Sequence, residues 1–235
     1  DLKPVNIRFY RDSLYLAMLD CDGFSIHGED ERHSAPQYTP DYLAPEFHQG
    51  GRLEEAEEQQ DRFALAVIIF QLLNFGLHPY AGKPISGRVP TDIPGRIAGD
   101  YYPYGMRPDA AIAPSPVSGH EQFPEELRHL FDRAFGRNPK IRPSAAEWAQ
   151  ALKPYALKSS GQLVVCSQNH DHQHFAGKEC AACARENLLA RASNRTSIPA
   201  AAQQAVQKKP AATTQPAAKT RRTRKTQKQS PNWPP

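Results

Sequence analysis

No apolar run in this chain exceeds the eight residues Phe63 to Phe70. A helical bilayer span needs about 20, so these residues supply none. Cysteine is scarce, with four in 235 residues. Cys21 stands alone, while Cys166, Cys180 and Cys183 fall within eighteen residues among several histidines. That distribution excludes a spread disulfide framework and points instead to a metal site. No secretory leader pattern is present, and the reading that follows is a cytoplasmic protein. Acidic residues stop at Glu186, and ten basic residues follow it. The first 186 residues hold 19 basic against 25 acidic, so the net charge of +4 describes neither part. No glycine-rich loop that could cradle a nucleotide phosphate occurs anywhere in the chain.

What is there reads as a folded body with a tail. Residues 6–20 predict a hairpin: Asn6 to Tyr10 and Leu14 to Leu19 are strand-like runs around a polar Arg11-Asp12-Ser13 turn. Residues 21–42 are polar and read as a loop. An almost wholly apolar stretch after Asp61 predicts a buried helix over 61–75. Residues 82–122 are rich in Pro, Gly and Tyr and read as irregular connection. Pro124 followed by Glu125 and Glu126 opens a further helix. Ser144 and Glu147 have the spacing of a capping box and start a helix carrying Trp148 and Leu152. From about 190 onward there is almost no large apolar residue, too little to offset the entropy of ordering.

Several segments carry chemistry. Asp1-Leu2-Lys3-Pro4-Val5-Asn6 gathers a carboxylate, a cation and an amide oxygen in one short loop. Phosphoryl transfer needs such groups to orient a hydroxyl, to lie beside the transferring phosphate and to bind the metal. Leu19-Asp20-Cys21-Asp22-Gly23-Phe24 follows the second hairpin strand directly and offers a second metal carboxylate. Three more segments are Tyr38-Thr39-Pro40-Asp41-Tyr42-Leu43-Ala44-Pro45-Glu46, Asp61 to Val67, and Arg142 to Trp148. Taken singly, they read as a turn, a core helix and a capped helix.

In order and spacing these five segments resemble the catalytic loop, metal-binding loop, Ala-Pro-Glu segment, central helix and late Arg-Pro helix start of protein kinases. The resemblance covers about 1–155. Asp-Cys-Asp-Gly-Phe in place of Asp-Phe-Gly, with a Cys/His segment after it, is similar to a bacterial family of helix-hairpin-helix-type proteins with a kinase domain. The resemblance implies a mainly α kinase C-terminal lobe with a short β-hairpin over 1–157, a zinc knuckle over 162–188 and a basic disordered tail over 189–235. It implies a Ser/Thr-type kinase that uses ATP and magnesium on a protein substrate. Asp1 would be the catalytic base and Lys3 would contact the transferring phosphate. Asn6 and Asp20 would hold magnesium, with Asp22 the alternative to Asp20. Thr39 would bridge Asp1 and Lys3. Glu46 would pair with Arg142, and Asp61 would cap backbone amides of the catalytic loop. The nucleotide loop and its lysine would belong to a lobe upstream of Asp1. The chain is thus expected to be a fragment that transfers phosphate negligibly alone. Between Gly23 and Tyr38 the serine hydroxyls are those of Ser25 and Ser34, with no threonine; no phosphosite stands out, and loop phosphorylation is not expected to activate it. A pseudokinase or scaffold is the rival reading.

Cys166, His172, Cys180 and Cys183 are spaced C-x5-H-x7-C-x2-C, a pattern suited to tetrahedral structural zinc. His170, His172 and His174 are all within reach on spacing. The similar family, with its histidine six residues after the first cysteine, implies His172. The run Lys219 to Lys228 is densely cationic and could meet nucleic acid or an acidic surface. No aromatic interleaves it, and Trp233 lies beyond, which speaks against base stacking. A solubilising tail is the plainer reading, and a nucleic-acid-binding adaptor is the second rival function.

Overall fold

The computed structural model describes residues 1–13, 15–33, 37–50 and 56–196. Among them the chain is mainly α-helical, with four small two-stranded antiparallel sheets. Residues Asp1–Ser193 form one compact unit. The expected hairpin is present as β1 (Ile7–Tyr10) and β2 (Tyr15–Met18), in the register Ile7 opposite Met18. Leu14, given to its second strand, lies outside the described residues. The polar stretch after it holds one more small ladder, β3 (Ile26–His27) against β4 (Arg32–His33). Two-residue strands carry no periodicity, so nothing in the sequence marked them. Helix α1 (Pro45–His48) begins at a proline, whose fixed φ suits the first helical position.

The apolar segment forms α2 (Glu57–Leu73), starting four residues before Asp61. Its first turn is Glu57-Glu58-Gln59-Gln60. These are helix formers with acids at the positive end of the dipole, and the apolar run alone does not reveal them. From Phe63 to Phe70 seven side chains are buried, as a helix apolar on every side requires. Within 82–122, read as irregular, lie β5 (Gly82–Pro84), the short helix α3 (Ile93–Ala98) and β6 (Ile112–Pro114), with β5 and β6 paired. The Asp92 carboxylate caps α3 by accepting from the Gly95 N–H at 2.7 Å. Buried Arg96 ties the surrounding loop down through the carbonyls of Pro90 and Tyr80.

Helix α4 (Glu125–Phe135) buries Leu127, Phe131, Ala134 and Phe135, the stripe of a one-sided helix. Helix α5 (Ala145–Ala156) opens on the expected capping box. Ser144 Oγ accepts from the Glu147 N–H at 3.2 Å, and Glu147 returns the bond at 2.9 Å. The core is an aromatic lattice: the Phe70 ring lies 5.0 Å from Phe131 and 4.9 Å from Tyr104, and Trp148 lies 4.9 Å from Phe131. Each such ring contributes about 1.5–3 kcal/mol of burial.

The Cys/His segment packs into this same core. Strands β7 (Leu163–Val165) and β8 (Gln173–Phe175) pair, and Phe175 enters the cluster 6.0 Å from Phe123 and 5.1 Å from Tyr155. Helix α6 (Ala181–Thr196) lays Arg185 over the Phe75 ring at 5.0 Å, and Arg185 donates to the Val117 carbonyl at 3.5 Å. Residues 162–188, read from sequence as a separate knuckle, therefore share the core of the rest. Of the stretch 189–235 read as a tail, residues 189–196 are helical. The remainder, with the cationic run and Trp233, lies outside the described residues, as does Ser34.

Candidate active site and metal clasp

The turn Pro4–Asn6 and the ladder that follows it fix the first six residues. The Leu19 N–H donates to the Asn6 carbonyl at 2.8 Å, bringing the end of β2 beside the start of β1. Asp1 and Asp20 thereby flank Asn6. The Asn6 amide nitrogen donates to the Asp1 carbonyl at 3.0 Å and reaches Asp20 Oδ2 at 3.5 Å. Its nitrogen is thus committed, and its oxygen is the atom left to accept. Asp20 adopts the left-handed conformation, φ 60° and ψ 53°. Among non-glycine residues this is uncommon, and Asp tolerates it better than most. The next turn is closed by the Gly23 N–H on the Asp20 carbonyl, and the Asp1 backbone nitrogen donates to the Gly23 carbonyl at 3.2 Å. Asp22 lies exposed in that turn.

Around Asp1 the expected bridge is closed. Lys3 Nζ lies 2.6 Å from Asp1 Oδ2 and 3.0 Å from Thr39 Oγ1. Thr39 donates from its hydroxyl to Oδ2 and from its backbone N–H to Oδ1, each at 3.0 Å. Three side chains from segments 36 or more residues apart thus form one charge-assisted cluster. It opens on a cavity of about 520 Å³, whose wall also includes Gly23, Arg32, Tyr42 and Asp61. Burial raises the Asp61 carboxyl above its ordinary value. No hydrogen bond joins Asp61 to residues 1–6 among the described residues, so the cap expected of it is not formed there.

Gln60 carries part of the support and was not anticipated. Its amide accepts from the Ala44 N–H and donates to the Tyr42 carbonyl, both at 2.7 Å. Below it, Arg142 grips Glu46 with both ends of its guanidinium, at 2.6 and 2.8 Å. Arg142 also donates to the carbonyls of Ala134 and Gln59 and stacks 5.2 Å from the Phe63 ring centroid. With Arg142 only 1% exposed, this is the expected pair in full.

The second site is sulfur-rich. The Sγ atoms of Cys166, Cys180 and Cys183 all lie within 4.8 Å of one another. Cys166 and Cys183 are 3.6 Å apart, and His172 Nδ1 sits 3.4 Å from the Cys183 sulfur and 3.8 Å from that of Cys180. Tetrahedral zinc with bonds of about 2.3 Å to sulfur and 2.0–2.1 Å to nitrogen sets ligand separations of about 3.5–3.8 Å. The three sulfurs could therefore hold a metal ion, and the His172 imidazole stands beside two of them. The backbone N–H groups of Gln168 and Asn169 lower the Cys166 thiol to about 7, and burial raises Cys183 to about 12. Of the other two histidines, His174 Nδ1 faces the Phe175 carbonyl at 3.0 Å, and His170 lines an open cavity beside the cluster.

No family model matches the chain. It is 27% identical over 189 residues to protein kinase YegI of Escherichia coli, covering 75% of this chain and 28% of that protein. It is 31% identical over 121 residues to serine/threonine-protein kinase PknD of Chlamydia trachomatis, covering 50% of this chain and 10% of that protein. To PknD of Chlamydia abortus it is 33% identical over 124 residues, 53% of this chain and 11% of that protein. The chain thus spans less than a third of the length of these relatives. No helix among the described residues is long and apolar enough to cross a membrane. The chain is thus similar, at modest identity, to proteins named as protein kinases.

Proposed function

We propose that this chain is the large lobe of a Ser/Thr protein kinase, acting on protein hydroxyls when a nucleotide-binding lobe stands ahead of Asp1, and that Cys166, His172, Cys180 and Cys183 hold a structural zinc ion. The observation that carries the kinase reading is the closed cluster of Asp1, Lys3 and Thr39 beside Asn6 and Asp20. An amide oxygen and a carboxylate are hard donors of the kind magnesium takes together with phosphate and water. Asn6 and Asp20 would hold it. When bound, magnesium-ATP supplies the transferable phosphoryl group and the cation that shields its charge.

The protein's own part is positioning. Lys3 and the Thr39 hydroxyl occupy Oδ2 and the Thr39 N–H takes one direction on Oδ1, which leaves Oδ1 an acceptor direction for a hydroxyl in the cavity that Asp1 lines. A substrate hydroxyl entering there is oriented by that carboxylate and gives it its proton. Lys3, bonded to the other oxygen, carries positive charge to the edge where phosphate charge develops. The Arg142–Glu46 pair and Gln60 fix the 42–46 segment next to Thr39, so the acceptor side of the site rests on buried structure. The nucleic-acid reading rests on the Cys/His segment together with the cationic run Lys219 to Lys228, and that run lies outside the described residues.

Asp20 and Asp22 distinguish two registers of the metal loop. In a protein joined to its nucleotide lobe, Asp20→Asn should weaken magnesium-dependent ATP binding about 10-fold or more, as loss of a charged metal ligand does. Asp22→Asn should change it less than about 2-fold, because Asp20 and not Asp22 is the carboxylate that the Asn6 side chain reaches. Calorimetric titration with ATP and magnesium reads both. The reverse order would assign the metal to Asp22.

A further inference from the structure

The histidine of the clasp has a second nitrogen, and the surroundings of that atom decide whether the first can bind metal. His172 Nδ1 faces the sulfurs of Cys183 and Cys180. On the other side of the ring, Nε2 lies 3.1 Å from Glu186 Oε1 and 3.1 Å from Asn169 Nδ2. The Asn169 amide cannot easily turn round, because its oxygen already accepts from the Asp171 N–H at 3.0 Å. Two neighbours thus compete to set the tautomer. If Asn169 donates to Nε2, the ring proton sits on Nδ1 and blocks a metal bond. If Nε2 keeps the proton and donates to Glu186, Nδ1 is free to ligate.

We propose that Glu186 is the positioning residue of the clasp, holding the His172 Nε2–H so that Nδ1 faces the metal. This rests on the zinc reading above. Three features favour Glu186 over Asn169. An ionised carboxylate is acceptor-only and forms a stronger, charge-assisted bond to the imidazole N–H than a neutral amide does. Glu186 stands three residues after Cys183 on α6, so ligand and carboxylate share one helix face and move together. The side chain of His172 is nearly buried while that of Glu186 is largely exposed, so the carboxylate reaches in from solvent without a desolvation cost of its own. Carboxylate partners of this kind orient a metal-binding imidazole and raise its basicity.

The test compares zinc affinity in the full 235-residue chain by competition with a chromophoric chelator. Glu186→Gln should bind zinc about 10–100-fold more weakly, with the far-ultraviolet spectrum unchanged because the residue is exposed. Asn169→Asp keeps the acceptor for the Asp171 N–H and removes the competing donor, and it should bind as tightly as the parent or more tightly. Cobalt loading gives a second readout. The visible bands of a tetrahedral three-sulfur, one-nitrogen site should be the same in parent and Glu186→Gln, since the ligands themselves are untouched. Equal zinc affinity in Glu186→Gln would overturn the inference while leaving the zinc site standing. Altered cobalt bands in that variant would overturn it by making Glu186 a ligand. A parent chain that retains no zinc would remove the site and the inference together.

Discussion

Arg142→Ala should lower the stability of the chain by about 3–5 kcal/mol, the usual result of leaving one partner of a buried ion pair uncompensated. The pair joins α1 to the start of α5, about a hundred residues on, and Arg142 binds two backbone carbonyls besides. Truncation strands the Glu46 carboxylate, takes one donor from each of those carbonyls and removes the cation from the Phe63 face. At about 2–4 °C per kcal/mol for a domain of this size, the midpoint of thermal unfolding should fall by about 6–20 °C. Arg142→Lys keeps the charge but not the two-pronged geometry, and its midpoint should lie between the two. An unchanged midpoint in Arg142→Ala would mean that the pair is solvent-screened, contrary to its burial.

Removing the zinc proposed for the clasp should be nearly as damaging, and to the whole compact unit. Ligand binding stabilises the folded state by about 4 kcal/mol when free ligand stands a thousandfold above its dissociation constant. The effect reaches beyond residues 162–188 because Phe175 and Leu163 belong to the core that also contains Phe123, Phe131 and Trp148. Arg185 and Phe75 add a second attachment. Chelation, or Cys180→Ser with Cys183→Ser, should therefore move one shared unfolding transition to lower temperature. A lobe transition that stays in place while a separate small one disappears would show the segment to be independent, as its sequence alone suggested.

What the sequence made legible was chemistry at fixed offsets. Asp1, Lys3 and Asn6 stand close together in one loop; Thr39 completes the contacts of Asp1 and Lys3, and Asp20 lies beside Asn6. The Ser144–Glu147 capping box is local and formed as read. Arg142 and Glu46 became a pair only through the order of motifs along the chain, since nothing local links residues so far apart. Other features were hidden for physical reasons. The β3–β4 and β5–β6 ladders have two or three residues a strand and no alternation to detect. Helix α6 runs to Thr196 with a polar, exposed surface. Its Ala, Arg, Glu and Leu residues favour helix intrinsically, but without an apolar stripe the segment after 190 read as tail. The roles of Gln60 and Glu186 depend on what lies across space from them. For Glu186 a clue existed, its position three residues after a cysteine ligand on a helical segment. The core contact of Phe175, one aromatic among histidines, had none.

The central claim is that Asp1 orients a protein hydroxyl for phosphoryl transfer. Its most direct test is the rate of radiolabelled phosphate transfer from ATP to protein, measured in this chain joined to a kinase nucleotide-binding lobe, with and without Asp1→Asn. Asparagine keeps the size of the side chain and can still accept from the Thr39 N–H, so the fold should survive and the melting midpoint should stay close to that of the parent. Loss of a carboxylate that orients and deprotonates the nucleophile should slow transfer by about 10²–10⁴-fold. Transfer at the parent rate in a folded Asp1→Asn protein would contradict the account.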